Sequence, residues 1–205
     1  MNFREKNGSF CDKKQNQWRI FMKAYMFLAD GVEEIEALTP VDVLRRAGIE
    51  IVTVSVMGRG DILGSHGIVV GADTLLENRE AEEYLDADMI ILPGGKKGTD
   101  LLLANRKLAE IIRLFDKSGK MLAAICAAPG IYGRMGLLMG KNATVYPGFE
   151  DFMIGADCTG ESVVTDGRYT TAKGMGVSLQ FALRLVNILS SKEKADELAE
   201  QLQMM

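Results

Sequence analysis

The sequence predicts a doubly wound α/β domain with a mostly parallel central sheet. Short, fully apolar runs alternate with segments of helical period along most of the chain. The first unit, residues 23–56, is a complete strand–helix–strand, which implies parallel strands and a right-handed crossover. Three segments that follow strand ends, at Gly31–Glu36, Pro93–Gly95 and Cys126, hold small or acidic residues. In folds of this kind, sites lie at the carboxyl ends of the strands.

Lys23–Ala29 reads as the first strand and Asp30-Gly31 ends it. Glu33–Ala47 has helical period, with Ile35, Leu38, Val41, Val43 and Leu44 as the apolar face. Pro40 should perturb that helix or begin a second segment, and Gly48 closes it. Glu50–Val56 is a β-branched second strand. Met57–Asp73 is punctuated by glycines and reads as a hairpin insertion, with Ile68–Val70 strand-like. Glu77–Tyr84 reads as a short acidic helix. Asp88–Leu92 is an apolar strand ending in Pro93-Gly94-Gly95. Thr99–Lys117 reads as one helix, with Leu101, Leu102, Leu108, Ile111, Ile112 and Leu114 inward.

Met121–Ile125 is the short buried strand at the centre of the chain, and Cys126 ends it. A helix should run from Ala127 to about Met135, since Pro129 suits a first helical turn. Ala143–Tyr146 is a short strand and Phe149–Ile154 a turn or short helix. Ser162–Thr165 and Tyr169–Ala172 form a hairpin around Asp166-Gly167. Val177–Leu189 and Lys192–Gln203 are the last two helices. Residues 1–21 are polar and aperiodic. They read as a flexible extension before a domain spanning 22–205, with Met22 a candidate natural start.

Composition excludes several classes. The chain has 205 residues, 47% of them hydrophobic and 25% charged, which is enough for one domain with a full core. A net charge of −4 gives no bulk attraction for nucleic acid. No apolar run approaches a membrane span, and no secretory leader is visible. Cys11, Cys126 and Cys158 are too widely spaced for a disulfide framework or a zinc site. A reducing cytoplasm is the simplest setting, and no pattern implies a metal or cofactor.

Cys126 is the main candidate for chemistry. A helix N-terminus after a strand offers partial positive charge, expected to lower a thiol pKa, and free N–H groups able to hold an oxyanion. The competing reading is a buried structural cysteine. Glu33 and Glu34 read as a solvated acidic first turn that favours the helix dipole. Glu36 has apolar neighbours, where a carboxyl can stay protonated and donate to a thiolate. The two glycines of Leu92-Pro-Gly-Gly95 let a ligand approach the backbone, or make a plain tight turn. Gly174-Met-Gly176 lacks the context of a dinucleotide site. His66, the single histidine, lies about sixty residues before Cys126 in the hairpin insertion and reads as a surface or interface residue.

Ala29-Asp-Gly-Val-Glu-Glu-Ile-Glu36, Pro40-Val-Asp-Val-Leu-Arg-Arg-Ala-Gly48, Leu92-Pro-Gly-Gly95 and Ala123-Ala-Ile-Cys-Ala-Ala-Pro129, in that order and spacing, resemble the DJ-1/ThiJ/PfpI family. The resemblance points to its DJ-1 and bacterial ThiJ/YajL-like branch and covers residues 22–189. It implies a flavodoxin-like sandwich of the class I glutamine amidotransferase kind, and a homodimer. Cys126 matches the family's reactive cysteine, Glu36 its partner acid, and Gly95 and Ala127 its backbone donors. The implied activity is a cysteine-dependent glyoxalase or deglycase acting on dicarbonyls such as methylglyoxal. The alternative is a peroxide-sensing thiol protein or redox chaperone. Tyr146 stands where this branch has a histidine, and Ala127 where the protease branch has one. A peptidase triad is therefore disfavoured. Tyr146 is left as an auxiliary hydrogen-bonding group, since a phenol is a poor base at neutral pH.

Overall fold

The computed structural model describes residues 22–204. The strands are β1 (Lys23–Leu28), β2 (Glu50–Ser55), β3 (Asp61–Leu63), β4 (Val69–Gly71), β5 (Thr74–Leu75), β6 (Met89–Leu92), β7 (Met121–Ile125), β8 (Asn142–Ala143), β9 (Asp157–Cys158), β10 (Val163–Asp166) and β11 (Tyr169–Ala172). The helices are α1 (Glu34–Arg46), α2 (Lys96–Ala104), α3 (Arg106–Lys117), α4 (Pro129–Arg134), α5 (Ser178–Leu189) and α6 (Lys192–Gln201). Residues 1–21, including Cys11 and the predicted extension, lie outside the described residues.

A seven-stranded sheet runs in the order β10-β11-β7-β6-β1-β2-β5. Every pairing in it is parallel except β10 with β11. This is the doubly wound architecture that the alternation of elements predicts. The inner strands β1, β6 and β7 are buried on both faces, so their sequences are continuous apolar runs. Tyr25 and Phe27 point to one core, with α2, α3 and α4. Ala24, Met26 and Leu28 point to the other, with α1, α5 and α6.

The structure corrects the sequence reading in several places. The predicted helix 99–117 is two helices broken at Asn105, whose side chain caps α3 by accepting the Leu108 N–H at 3.0 Å. The predicted acidic helix 77–84 is a pair of 3-10 turns, Leu76–Asn78 and Ala81–Asp86. Pro40 does not divide α1, which runs unbroken past it. α1 buries Val41, Val43 and Leu44 as expected, but not the first part of the stripe. Ile35 and Leu38 are exposed, while Glu34 and Glu36 are buried. The first turn of α1 lies across the carboxyl ends of the strands, and its inward face meets polar groups rather than the core.

That end of the sheet is tied together by backbone hydrogen bonds. Glu33 N donates to Gly94 O at 3.1 Å, and Gly98 N to Gly31 O at 3.3 Å. The β3–β4 hairpin closes over the same loop, with Gly31 N donating to Leu63 O at 2.7 Å and Ser65 N to Val32 O at 2.8 Å. The loops after β1 and β6 thus form one rigid rim. Asn105→Ala removes the α3 cap and is expected to cost about 1 kcal/mol. Urea unfolding checks this, and an unchanged midpoint would show that the break at Asn105 needs no cap.

Candidate active site

Cys126 follows β7 with φ of +65°, in the left-handed region that favours glycine. Such a conformation in an ordinary residue costs roughly 1–3 kcal/mol and persists only where its surroundings enforce it. Here both backbone groups are tied down. Cys126 N donates to Ala172 O at 2.8 Å, and Cys126 O accepts from Tyr146 N at 2.8 Å. The chain then turns through buried Ala127 and Ala128, and Pro129 opens α4. The result is a sharp strand-to-helix elbow with the sulfur at its apex.

Glu36 comes to the sulfur from the first turn of α1. It is 1% exposed. Its Oε2 accepts the Gly94 N–H at 3.0 Å, and the Cys126 thiol and the Met175 N–H also favour its charged form. Gly94 is needed for this approach, because a Cβ there would lie 2.5 Å from Cys126 Cβ and closer still to Glu36 Oε2. Gly95 has φ of +86°, and a Cβ on it would stand 2.6 Å from Glu33 N. The N–H groups of Gly95 and Ala127 favour the ionised form of the Cys126 sulfur. Tyr146 sits at the rim, half exposed, its ring 3.2 Å from where a Gly174 Cβ would stand. The same Cβ would lie 4.0 Å from Glu36 Oε1.

Burial pushes the Glu36 carboxyl up to about 7, against the hydrogen bonds it receives. Burial, together with the charge of Glu36 and its hydrogen bond, pushes the Cys126 thiol up to about 12, against the Gly95 and Ala127 N–H groups. The expected lowering of this thiol by the helix N-terminus is therefore overturned. The helix is short, and desolvation beside a carboxylate outweighs its partial charge. The two groups are coupled, the carboxylate holding the proton on the thiol.

The structure thus brings Cys126, Glu36, Gly95, Ala127 and Tyr146 into one site. It places His66 elsewhere. That ring is exposed, with Nδ1 3.0 Å from Glu34 Oε2 and 3.4 Å from Glu33 Oε2. Glu34 is not solvated as expected. Burial opposes its ionisation, but hydrogen bonds from the His66 ring, the His66 N–H and Ser65 outweigh it and bring the carboxyl down to about 2. It stabilises the fold above its unfolded value near 4.5, and that contribution is lost as pH falls through 2. The ligand atoms of Glu33, Glu34 and His66 lie within 4.8 Å of one another, but Glu34 is already satisfied, and the cluster reads as a clasp between α1 and the hairpin. Cys158 is half-buried on β9.

Sequence reasoning missed the contacts of Gly94, Met175 and Gly174 with this site. The Gly174-Met-Gly176 segment, set aside as a weak nucleotide motif, packs against Tyr146 and Glu36.

A family model described as the DJ-1/PfpI family matches residues 22–188. The chain belongs to the DJ-1/PfpI family. It is 38% identical over 184 residues to DJ-1 homolog B of Arabidopsis thaliana, covering 89% of this chain and 41% of that protein. The chain thus spans less than half the length of its Arabidopsis relatives. It is 32% identical to protein dj-1beta of Drosophila melanogaster, covering 87% of this chain and 95% of the relative. A Pyrococcus abyssi protein named a deglycase is 33% identical over 82% of this chain and 99% of its own. Among solved structures, oxidized DJ-1 of Toxoplasma gondii superposes with a TM-score of 0.83 at 35% identity, covering 89% of this chain and 98% of that one. The DJ-1 fold predicted from the motifs is therefore shown. Among the described residues no helix is long and apolar enough to cross a membrane.

Gly94→Ala is expected to separate Glu36 from Cys126 while leaving a folded protein. Thiol alkylation at fixed pH should change severalfold, with far-ultraviolet circular dichroism preserved. An unaltered alkylation rate would mean that the close approach at Gly94 does not set the thiol's environment.

Proposed function

We propose that this DJ-1/PfpI member is a cysteine-dependent enzyme acting on small dicarbonyls, converting methylglyoxal to lactate without glutathione. The observation that carries this is the Cys126–Glu36 pair, a thiol at the apex of the elbow and a buried carboxyl packed against it across Gly94. The proton passes from Cys126 to Glu36 as the sulfur adds to the aldehyde carbon, forming a hemithioacetal. The Gly95 and Ala127 N–H groups receive the oxyanion. Glu36 then moves the C1 proton to C2, which oxidises the aldehyde carbon to the thioester level and reduces the ketone to a hydroxyl. Water releases lactate and restores the thiol. A carboxyl held near 7 suits both halves of this proton traffic. Tyr146, at the rim, orients the second carbonyl by hydrogen bonding.

One feature also supports a second reading. A protonated carboxyl beside the sulfur can donate to a sulfenic or sulfinic oxygen, which would favour oxidation of Cys126 by peroxide. Selective gain of oxygen at Cys126 in the intact mass, without dicarbonyl turnover, would put this reading first. In either case the family resemblance favours a homodimer, and the sparse, widely spaced cysteines favour a reducing cytoplasm. Exposed Ile35 and Leu38 of α1, with Leu63, Ile68 and Val69 of the hairpin, supply an apolar surface for it.

Lactate formation from methylglyoxal should vanish in Cys126→Ser and fall about a hundredfold or more in Glu36→Gln. Full activity in either variant, or no activity in folded, reduced wild type, would overturn the enzyme reading.

A further inference from the structure

His66 and the two carboxylates beside it take no part in the chemistry above. They stand where the β3–β4 hairpin meets the first turn of α1. Ser65 Oγ lies 3.0 Å from Glu33 Oε2 and 3.1 Å from Glu34 Oε2. His66 Nδ1 lies 3.0 Å from Glu34 Oε2 and 3.4 Å from Glu33 Oε2. The His66 N–H donates to the other Glu34 oxygen at 2.8 Å. The hairpin sits close against this turn. A Cβ on Gly64 would fall 2.5 Å from Glu34 Cδ, so a side chain there would displace the carboxyl.

The two carboxylates depend on His66 for charge. Their side chains are only 13% and 5% exposed, while the ring is 68% exposed. The Ser65 hydroxyl carries one proton and faces an oxygen of each. The His66 ring is the other side-chain donor that faces both. A protonated ring supplies its Nδ1–H together with a positive charge. A neutral ring supplies that proton in one tautomer only, and without the charge. The other tautomer turns a lone pair toward the carboxylates. Among the described residues, neither Glu33 nor Glu34 pairs with a lysine or arginine. From α2, Lys97 lies along the adjoining Gly31, where a Cβ would meet Lys97 Cβ at 2.6 Å, and it pairs with neither. Arg59, before the hairpin, is taken up by Asp30, Nη2 to Oδ2 at 2.5 Å. Glu36, the third carboxyl of the turn, lies on the sulfur side with the Gly94 N–H.

The same turn builds the sulfur site. Glu33 N donates to Gly94 O at 3.1 Å, and Gly94 N donates to Glu36 Oε2 at 3.0 Å. Gly94 is thus held through both its backbone groups by residues of one turn, and Glu34 lies between those two residues in sequence.

We propose that His66 is a proton-operated latch and a positioning residue for Glu36. Charged, it fastens the hairpin to the first turn of α1 and so fixes Glu36 beside Cys126. Neutral, it lets both loosen. The latch concerns the Cys126–Glu36 site and holds whether or not that site turns over dicarbonyls. The Glu34 hydrogen bond, and then the charges of Glu33 and Glu34, raise the ring above its ordinary 6.5. The folded value therefore exceeds the unfolded one. The latch is fully engaged below 6.5 and is released as pH rises through the raised value.

His66 is the single histidine, so its ring signals report the latch by NMR without ambiguity. The midpoint should lie above 6.5 in wild type and fall in Glu34→Gln. The Gly31 and Ser65 amides donate across the hairpin junction, to Leu63 O and Val32 O. Their hydrogen-exchange protection factors, compared at pH 6 and pH 9, test the fastening. Wild-type protection should drop about threefold or more over that range, the size a partly screened ion pair supplies. His66→Ala should match the low wild-type value at both pH values. His66→Lys, charged throughout, should keep its protection. At pH 7, loosening Glu36 should speed Cys126 alkylation about twofold in His66→Ala, and His66→Lys should restore the wild-type rate. Protection that is independent of pH in wild type, or retained in His66→Ala, would overturn the latch. An alkylation rate indifferent to His66→Ala would overturn its reach to Glu36. None of these readouts needs turnover, so a failed dicarbonyl assay leaves them decisive.

Discussion

One proton shared between Glu36 and Cys126 is the interaction on which the rest of the site depends. A carboxylate and a thiolate cannot both be ionised at close range inside a protein without a large electrostatic cost. Burial raises both groups, and Glu36 raises the thiol further, while the thiol's hydrogen bond lowers Glu36. The Gly94, Gly95, Met175 and Ala127 N–H groups recover part of that cost by donating to whichever atom carries the charge. The carboxyl therefore gives up its proton near neutral pH while the thiol keeps its own.

Holding that balance requires geometry that the chain does not adopt freely. Cys126 is kept in a left-handed conformation by hydrogen bonds to strand β11 on one side and to Tyr146 on the other. Glu36 is kept inward because the first turn of α1 is clamped from two directions, by the Gly94 loop below and the hairpin above. Glu34, with His66 and Ser65, fastens that hairpin to the same turn. The departure of the first turn of α1 from an apolar inward face follows from this. Its acidic residues are the ones with partners inside, so Ile35 and Leu38 are left facing out.

Much of this was legible in the sequence, because strands buried on both faces leave unmistakable apolar runs and the β-α-β spacing fixes parallel pairing. The elbow was legible too, since Cys126, Ala127, Ala128 and Pro129 combine a strand end, small residues and a helix start. The burial of Glu34 was not, because it depends on Ser65 and His66, some thirty residues on. The break at Asn105 was hidden by leucines that keep helical period through it. The thiol's environment was misjudged for a related reason. A helix N-terminus is visible locally, whereas desolvation and the position of Glu36 belong to the tertiary structure.

The most direct test of the shared proton is the rate of Cys126 alkylation by iodoacetamide as a function of pH, in wild type and Glu36→Gln. The wild-type rate should rise in two steps, one with a midpoint near 7 and the next toward 12, as the pair loses its protons in turn. Glu36→Gln removes the charge and the hydrogen bond that raise the thiol, so the step near 7 should disappear and a single midpoint should fall below 12. A wild-type profile with one step that Glu36→Gln leaves in place would contradict the account.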